Sequence, residues 1–292
     1  KKAIEIKHDL PDAHLNLGSI FIELGNLEEA ELSTRKAIKL NPNLALSYQN
    51  ISLLFYAKDK INLAVENIEK ALSIDPISKT NQLLLSIFRD EKKVSQEIVN
   101  PIDIELNKEK SQCYPFILKR PVDSELITSL YKIEALDLNK FQDPSFGKAR
   151  GSDYKFFEDN KKITKTLEKD LTSIAKEVIN SDVFFYDSFF TILSGNSIIK
   201  KHNHIVNHID RFSGLNLWKK KYSLVYYLSV GDQDCKHPGL LKFYPDKENP
   251  KPSEEILPSE GLIVIFPADR YHSVTYDGTK DRVIIGVNFY SI

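Results

Sequence analysis

The sequence predicts a multidomain α + β protein, in which an N-terminal α-solenoid precedes a double-stranded β-helix (jelly-roll) barrel with flanking helices. Three observations lead to this prediction. A period of 34 residues runs through the first third of the chain, apolar residues at helical spacing continue to residue 179, and short β-branched and aromatic runs follow from residue 183.

The repeat is defined by four residues that recur after 34 positions: Phe21, Ala30, Ala37 and Pro42 return as Phe55, Ala64, Ala71 and Pro76. This period, with small residues at helix crossings and a closing proline, resembles the tetratricopeptide repeat, a helix–turn–helix unit. Ala3 lies one further period upstream, so the chain is expected to open in the last helix of an earlier repeat. Such arrays usually bind a protein or peptide partner, and a spacer or oligomerisation arm is the alternative.

The apolar pattern from Ile77 to Phe88 predicts a capping helix, and the charged stretch that follows, with Pro101, predicts a linker. We therefore expect the α-solenoid at residues 1–91, a linker at 92–112 and the barrel domain at 113–292. The chain begins with Lys1 and contains no methionine, so we expect it to be part of a longer protein.

Composition excludes several classes of function. Lys plus Arg number 40 against 41 for Asp plus Glu, which argues against nucleic acid or an anionic membrane as partner. The basic run 219–221 is expected to be solvated. No apolar stretch approaches the roughly 20 residues of a membrane span. The two cysteines, Cys113 and Cys235, are expected to be free thiols in a reducing cytoplasm.

The second domain changes period along its length. Helical spacing is found at 124–138 and 162–179, whereas strand patterns separated by turn residues occur at 183–186, 189–193, 197–199, 222–230, 240–244, 261–266 and 282–290. Five or more strands after flanking helices predict two packed sheets that can hold a ligand between them.

Histidines and one arginine are the candidate site residues. His202 and His204 are two apart and would share a face of an extended strand, and His272 precedes the last strand. Three imidazoles suit Fe(II) and leave coordination positions open. In the last strand Val283, Ile285, Val287 and Phe289 form one apolar face, whereas Arg282, Ile284, Gly286 and Asn288 form the other. An inward arginine there could bind a carboxylate with two hydrogen bonds.

The order His-x-His, Pro-Gly-Leu-Leu-Lys-Phe at 238–243, Gly-Leu-Ile-Val-Ile-Phe-Pro at 261–267, His272 and Arg282 ten residues later resembles the 2-oxoglutarate/Fe(II) oxygenases. The likeness is to the prolyl-hydroxylase-like branch, and it covers residues 113–292. It implies Fe(II), 2-oxoglutarate and O2 as cofactor and co-substrates. It also implies that His202 and His272 ligate iron and that Arg282 binds the far carboxylate of 2-oxoglutarate.

One departure from the family pattern concerns the third ligand, because His204 stands where the family has a carboxylate. We favour a three-histidine site completed by His204, because His202 and His204 follow directly from the strand, as the ligands of the family do. The alternative is that Asp210, within His208-Ile209-Asp210, supplies a carboxylate. His202 and Asp210 would lie about 26 Å apart on an extended chain, so the second arrangement requires the segment to fold back.

Three functions follow as expectations, and no catalytic residue is assigned beyond the metal site. The first is an oxygenase that hydroxylates a protein or peptide side chain recruited by the repeats. The second is a repeat scaffold with a catalytically inactive, cupin-like barrel. The third is a cupin-like enzyme with another metal and no co-substrate. Tyr222, Tyr226, Phe243, the loop 150–154 and the insertion 210–218 are considered as substrate-facing candidates. Aromatic residues of this kind belong to the core more often than to a binding surface, so none of the three is assigned to the site.

Overall fold

The structure is a computed structural model that describes residues 10–97, 114–133, 135–141, 148–205 and 215–292. Contacts between Cα atoms divide the chain into two compact units. The helices before residue 98 lie in the first unit, and the sheets lie in the second.

The first unit is built from helices that pack in consecutive antiparallel pairs. Its described helices are α1 (Pro11–Glu23), α2 (Leu27–Leu40), α3 (Ala45–Ala57), α4 (Ile61–Ile74) and α5 (Lys79–Glu97). The repeated alanines Ala30, Ala37, Ala64 and Ala71 are fully buried, which allows the paired helices to approach closely. Gly18 serves the same purpose, since an added Cβ would lie 2.4 Å from the hydroxyl of Thr34. The prediction of helix–turn–helix repeats is confirmed.

The helix α5 is longer than the predicted capping helix. It runs to Glu97 and so includes residues 92–97, which the sequence had suggested as the start of a linker. The reason is local, because no glycine or proline interrupts residues 89–97. The remainder of the predicted linker lies outside the described residues.

The second unit contains two antiparallel sheets. Its strands are β1 (Phe116–Lys119), β2 (Leu136–Asp137), β3 (Arg150–Gly151), β4 (Val183–Leu193), β5 (Ser197–His202), β6 (Lys221–Val230), β7 (Leu241–Tyr244), β8 (Glu254–Ile256), β9 (Leu262–Pro267), β10 (Tyr271–Tyr276) and β11 (Arg282–Ser291). The larger sheet has the order β1-β9-β6-β11-β4-β3-β2, and the smaller has the order β5-β10-β7-β8. Its described helices are α6 (Ser124–Tyr131), α7 (Leu138–Phe141) and α8 (Lys162–Ile179).

Each face of the larger sheet packs against a different layer. Leu167, Leu171 and Ala175 of α8 pack in one core with the predicted outer face of β11, which carries Val283, Ile285, Val287 and Phe289. Ile284 belongs to the second core, together with residues of the smaller sheet. The alternation predicted for the last strand is therefore confirmed, and its polar face looks into the space between the sheets.

The flanking segments differ in detail from the prediction. The helix expected at 124–138 ends at Tyr131, and the chain then forms β2 and α7, whereas α8 has the predicted extent of 162–179. Cys235 is a free thiol, and Cys113 lies outside the described residues. Among the helices of the described part of the chain, none is long and apolar enough to cross a membrane.

Candidate metal and anion site

Three histidines converge at one end of the smaller sheet. One potential ligand atom from each of His202, His204 and His272 lies within 4.8 Å of the other two. The ring centroids are 4.3 Å apart for His202 and His272, and 5.0 Å apart for each of the other two pairs. Three ring nitrogens at this spacing can surround a single metal ion.

The pairing of β5 with β10 brings two of the histidines together, since His202 lies directly opposite His272. Farther along, Val274 lies opposite Ile199, so two steps on β10 match three steps on β5. This β-bulge turns His202 onto the inner face of the sheet, as bulges beside functional sites often do. The placement of His204 differs from the prediction that it shares a strand with His202. The strand β5 ends at His202, and His204 lies in the turn that follows.

Hydrogen bonds fix the tautomers of two of the three imidazoles. Nδ1 of His202 lies 2.8 Å from the carbonyl oxygen of Lys200, and Nδ1 of His272 lies 3.1 Å from that of Arg270. A carbonyl can only accept, so each Nδ1 carries the proton and donates it. The unprotonated Nε2 of each ring is then available to a metal, which is the usual arrangement of metal-bound histidine.

The environment keeps all three rings neutral near pH 7. The pKa of His272 is lowered to about 3, chiefly by burial and next by the neighbouring His202, against the opposing effect of its bond to the Arg270 carbonyl. Burial, followed by His272 and His202, lowers the pKa of His204 well below its usual value. Burial also lowers the pKa of His202, and this effect is opposed by its bond to the Lys200 carbonyl. Neutral imidazole is the form that binds a metal.

Arg282 provides a buried positive charge in the same cavity. Its side chain is 1% exposed, and one guanidinium nitrogen donates to the carbonyl of Gly239. Its Nε has no hydrogen-bond partner among the described residues. Burial lowers the pKa of Arg282, but an arginine remains protonated at neutral pH. A buried cation with an unused donor is a site at which an anion would be stabilised.

The position of the guanidinium depends on a residue without a side chain. Gly239 has φ +79°, and a Cβ added there would lie 1.9 Å from Nη1 of Arg282. Tyr227 lies on the other side, with its ring centroid 5.0 Å from Cζ of Arg282. The guanidinium is therefore held between a glycine backbone and an aromatic ring.

One cavity of about 570 Å³ contains both the histidines and the arginine. Its floor is the inner face of the larger sheet, and its lining includes Tyr154, Tyr186, Asp187, Phe189, Thr191, Lys221, Val225, Tyr227, Arg282, Ile284 and Asn288. Arg282 and Asn288 are six residues apart on β11, which corresponds to about 20 Å along the strand. The cavity can accommodate a small anion beside Arg282 together with a second group farther along β11.

A row of polar side chains occupies the part of the floor farther from Arg282. Ser223 donates to Oδ1 of Asn288 at 2.6 Å, and Nδ2 of Asn288 donates to Asp187 at 2.7 Å. A second bulge lies here, because Asn288 is opposite Asp187 whereas Phe289 is opposite Phe185. The extra residue of β4 brings both Tyr186 and Asp187 to the cavity wall.

The structure distinguishes among the residues considered as substrate-facing candidates. Tyr222 and Tyr226 pack in the core against the helices, and Phe243 packs between the sheets without lining the cavity. Within the loop 150–154, Ser152 and Tyr154 do line it.

Lys221, which was expected to be solvated with its basic neighbours, is 1% exposed and lines the cavity. Strand alternation could have revealed this. Lys221, Ser223 and Val225 share one face of β6, opposite the face of Tyr222 and Leu224. Asp210, the alternative carboxylate ligand, lies outside the described residues.

Family profiles match three segments of the chain. Residues 195–290 match the 2OG-Fe(II) oxygenase superfamily, and this segment includes all three histidines and Arg282. Residues 11–44 and 45–78 each match the tetratricopeptide repeat. The oxygenase family uses Fe(II), 2-oxoglutarate and O2. The neutral histidine cluster and the buried arginine fit a metal ion and a dicarboxylate, respectively.

Two curated proteins are similar to part of the chain. Neutrophil cytosol factor 2 from Bos taurus is 34% identical over 77 residues, which are 25% of this chain and 15% of that protein. The type IV pilus assembly protein PilF from Pseudomonas aeruginosa is 33% identical over 64 residues, which are 22% of this chain and 25% of that protein. The chain thus spans a quarter or less of the length of these relatives.

Two solved structures are also similar in part. A 2OG-Fe(II) oxygenase family oxidoreductase from Burkholderia pseudomallei is 12% identical, with a TM-score of 0.44, and the match covers 60% of this chain and 84% of that one. The structure of Pseudomonas aeruginosa PilF is 29% identical, with a TM-score of 0.28, and the match covers 30% and 39%. On the family profiles, the chain carries two tetratricopeptide repeats followed by a domain of the 2OG-Fe(II) oxygenase superfamily.

Proposed function

We propose that the protein is an active Fe(II)- and 2-oxoglutarate-dependent oxygenase whose iron ligands are His202, His204 and His272. The observation that carries this proposal is that a neutral three-histidine cluster and a buried cation with an unused donor share one cavity. The histidines supply the donor set for Fe(II), and Arg282 supplies the anchor for the far carboxylate of 2-oxoglutarate.

When bound, iron and 2-oxoglutarate would supply the oxidation of a substrate C–H bond by O2. The chain itself supplies three things. The carbonyls of Lys200 and Arg270 hold two imidazoles in the tautomer that presents Nε2. The buried Arg282 orients the co-substrate, and the aromatic walls restrict water in the cavity.

The direct test of activity is succinate formation. We expect the purified protein, given Fe(II), 2-oxoglutarate and O2, to release succinate, and to do so faster with a peptide substrate. The absence of succinate under all conditions, including a broad peptide panel, would favour an inactive barrel.

The identity of the third ligand is tested by three variants. If His204 is the ligand, His204→Ala should lose stoichiometric iron, whereas Asp210→Ala should keep it. His204→Asp, which restores the carboxylate common in the family, should also retain iron, because a carboxylate is a suitable Fe(II) ligand. Iron content of the purified variants decides the question. Loss of iron only in Asp210→Ala would assign the ligand to Asp210.

Gly239→Ala is expected to impair co-substrate binding from a position outside the metal cluster. The added Cβ overlaps the Arg282 guanidinium and must displace it. Misplacement by about 1 Å can reduce kcat/KM up to about 100-fold. Gly25→Ala is the matched control. Gly25 also has a positive φ, of +74°, but a Cβ added there would have no other atom within 4 Å. It should share the backbone strain and keep the KM for 2-oxoglutarate unchanged. Equal kinetics for the two variants would contradict the assignment of Arg282.

We further propose that the reaction is hydroxylation of a protein or peptide side chain, in the manner of prolyl hydroxylases, and that the repeats recruit the substrate or a partner. The cavity size and the polar side chains of Asn288 and Asp187 in its lining support a side chain with hydrogen-bonding groups as substrate. Because α5 extends to Glu97, we propose that the linker is the remainder of the predicted segment, residues 98–112, and that residues 113–292 form the catalytic domain. We also propose the cytoplasm as location, on the scarcity of cysteine.

A scaffold with an inactive barrel is the second candidate, and one observation favours it. The family carboxylate is replaced by His204, which leaves the metal site more positively charged. Under this alternative, the purified protein should contain no stoichiometric iron and should gain no thermal stability from 2-oxoglutarate. A rise in Tm that requires both Fe(II) and 2-oxoglutarate would exclude it.

A further inference from the structure

Within the proposed iron site, His204 is held differently from the other two histidines. The rings of His202 and His272 are each fixed by a hydrogen bond from Nδ1 to a backbone carbonyl. No hydrogen bond to a ring nitrogen of His204 is found among the described residues. His204 also lies beyond the end of β5, so no strand ladder fixes its backbone. Something else must determine where its imidazole points.

The backbone of His204 is held by a closed set of three hydrogen bonds. The N–H of His204 donates to the carbonyl of Ala268 at 2.8 Å, and the N–H of Ala268 donates to the carbonyl of Lys221 at 2.9 Å. The ammonium of Lys221 then donates to the carbonyl of His204 at 2.9 Å. Both polar groups of the His204 backbone are therefore used. The set connects the turn after β5 to the start of β6 and to the turn between β9 and β10.

The side chain of Lys221 is itself enclosed by its neighbours. The side chain is 1% exposed, and its ammonium lies 5.3 Å from the ring centroid of Tyr290 and 5.8 Å from that of Tyr186. Lys221 is also the first residue of β6, directly opposite Tyr290 of β11. Burying an ammonium is costly unless its contacts compensate for the lost water. Because Lys221 belongs to the larger sheet, its hydrogen bond to the carbonyl of His204 can hold the His204 turn in place relative to that sheet.

We propose that Lys221 is a positioning residue for the metal site, which acts through the backbone of His204. This inference rests on the proposed function, because it assumes that His204 is a ligand. It extends that function by giving the buried ammonium of Lys221 a role, which is to hold the backbone of the proposed ligand His204 in place. Residues that orient metal ligands typically change metal affinity by about 10- to 100-fold when they are replaced.

The experiment is a double-mutant cycle with Co(II) alone as the probe, read by its visible absorption and its dissociation constant. Lys221→Met removes the donor while keeping the length of the side chain. We expect it to weaken Co(II) binding by about 10- to 100-fold and to change the absorption spectrum. In a His204→Ala background the same substitution should change the dissociation constant by less than about twofold, because the group it positions is absent.

Three controls separate positioning from a general structural effect. Lys165→Met removes a lysine of α8 that donates to the carbonyl of Phe157, outside the cavity, and it should leave Co(II) binding unchanged. Lys221→Arg keeps a cationic donor and should lose less affinity than Lys221→Met. If Lys221→Met does not fold by circular dichroism, Lys221→Gln replaces it in the cycle.

The outcomes distinguish this inference from the proposed function. Failure of the parent protein to bind Co(II) would overturn the proposed function, and the inference would fall with it. Binding by the parent with an unchanged affinity in Lys221→Met would overturn the inference alone. An equal loss of affinity with and without His204 would also overturn it, because the effect would then not pass through that residue.

Discussion

Replacing Arg282 by methionine is expected to abolish efficient use of 2-oxoglutarate without destabilising the fold. Loss of one partner from a buried charged pair costs about 2–5 kcal/mol, which corresponds to a rise in KM of about 30-fold to several thousand-fold. In the ligand-free protein, however, Arg282 is a buried cation whose Nε has no partner among the described residues. Its removal relieves a desolvation cost, which offsets the loss of the donor to the Gly239 carbonyl and of the contact with Tyr227.

Arg120→Met serves as the control, because it is expected to destabilise the fold without changing the use of 2-oxoglutarate. Arg120 forms an ion pair with Asp170 at 2.6 Å and donates to the hydroxyl of Tyr226. Its removal should lower the free energy of unfolding by about 1–3 kcal/mol and leave the KM for 2-oxoglutarate unchanged. Urea unfolding and succinate kinetics on both variants test the pair. A destabilised Arg282→Met with normal KM would show that the arginine is structural.

Replacing His272 by alanine is expected to remove iron and activity together. His272 is 5% exposed, and its ring lies 4.9 Å from that of Phe266, so its imidazole is held within the packed end of the cavity. Loss of a direct ligand should weaken Fe(II) binding by more than about 100-fold, the upper end for residues that only support a ligand. Iron content and succinate formation should both fall to background.

Two further variants keep this prediction testable. His272→Ala leaves a space in a packed region, so His202→Ala, at a more exposed position, should show the same loss with less effect on folding. His237→Ala removes an exposed histidine outside the cluster and should leave iron content unchanged. Retention of stoichiometric iron in both His272→Ala and His202→Ala would contradict the proposed ligand set.

The parts of the fold that follow from local periodicity could be predicted from the sequence. The repeat period placed Ala30 and Ala64 at helix crossings, where both are fully buried. Alternation in the last strand placed Arg282 and Ile284 on the inner face, where both line the cavity. These features depend on neighbouring residues in one helix or strand, so the sequence alone contains them.

The remaining features depend on contacts between distant segments. The bulge that places His202 on the inner face of the smaller sheet arises from the pairing of β5 with β10. The residue pattern of β5 alone does not show it. Lys221 lies at the end of a basic run and resembles a solvated residue until β6 is placed between β9 and β11. The free space that Gly239 leaves for Arg282 is likewise a property of two segments 43 residues apart.

The central claim is that one cavity holds Fe(II) and 2-oxoglutarate together, and the anaerobic absorption spectrum tests it most directly. On addition of Fe(II) and then 2-oxoglutarate, the parent protein should develop a metal-to-ligand charge-transfer band that saturates at one equivalent of each. The band should be absent in His272→Ala, and in Arg282→Met it should require far more 2-oxoglutarate. A folded parent protein whose spectrum does not change on these additions would contradict the claim.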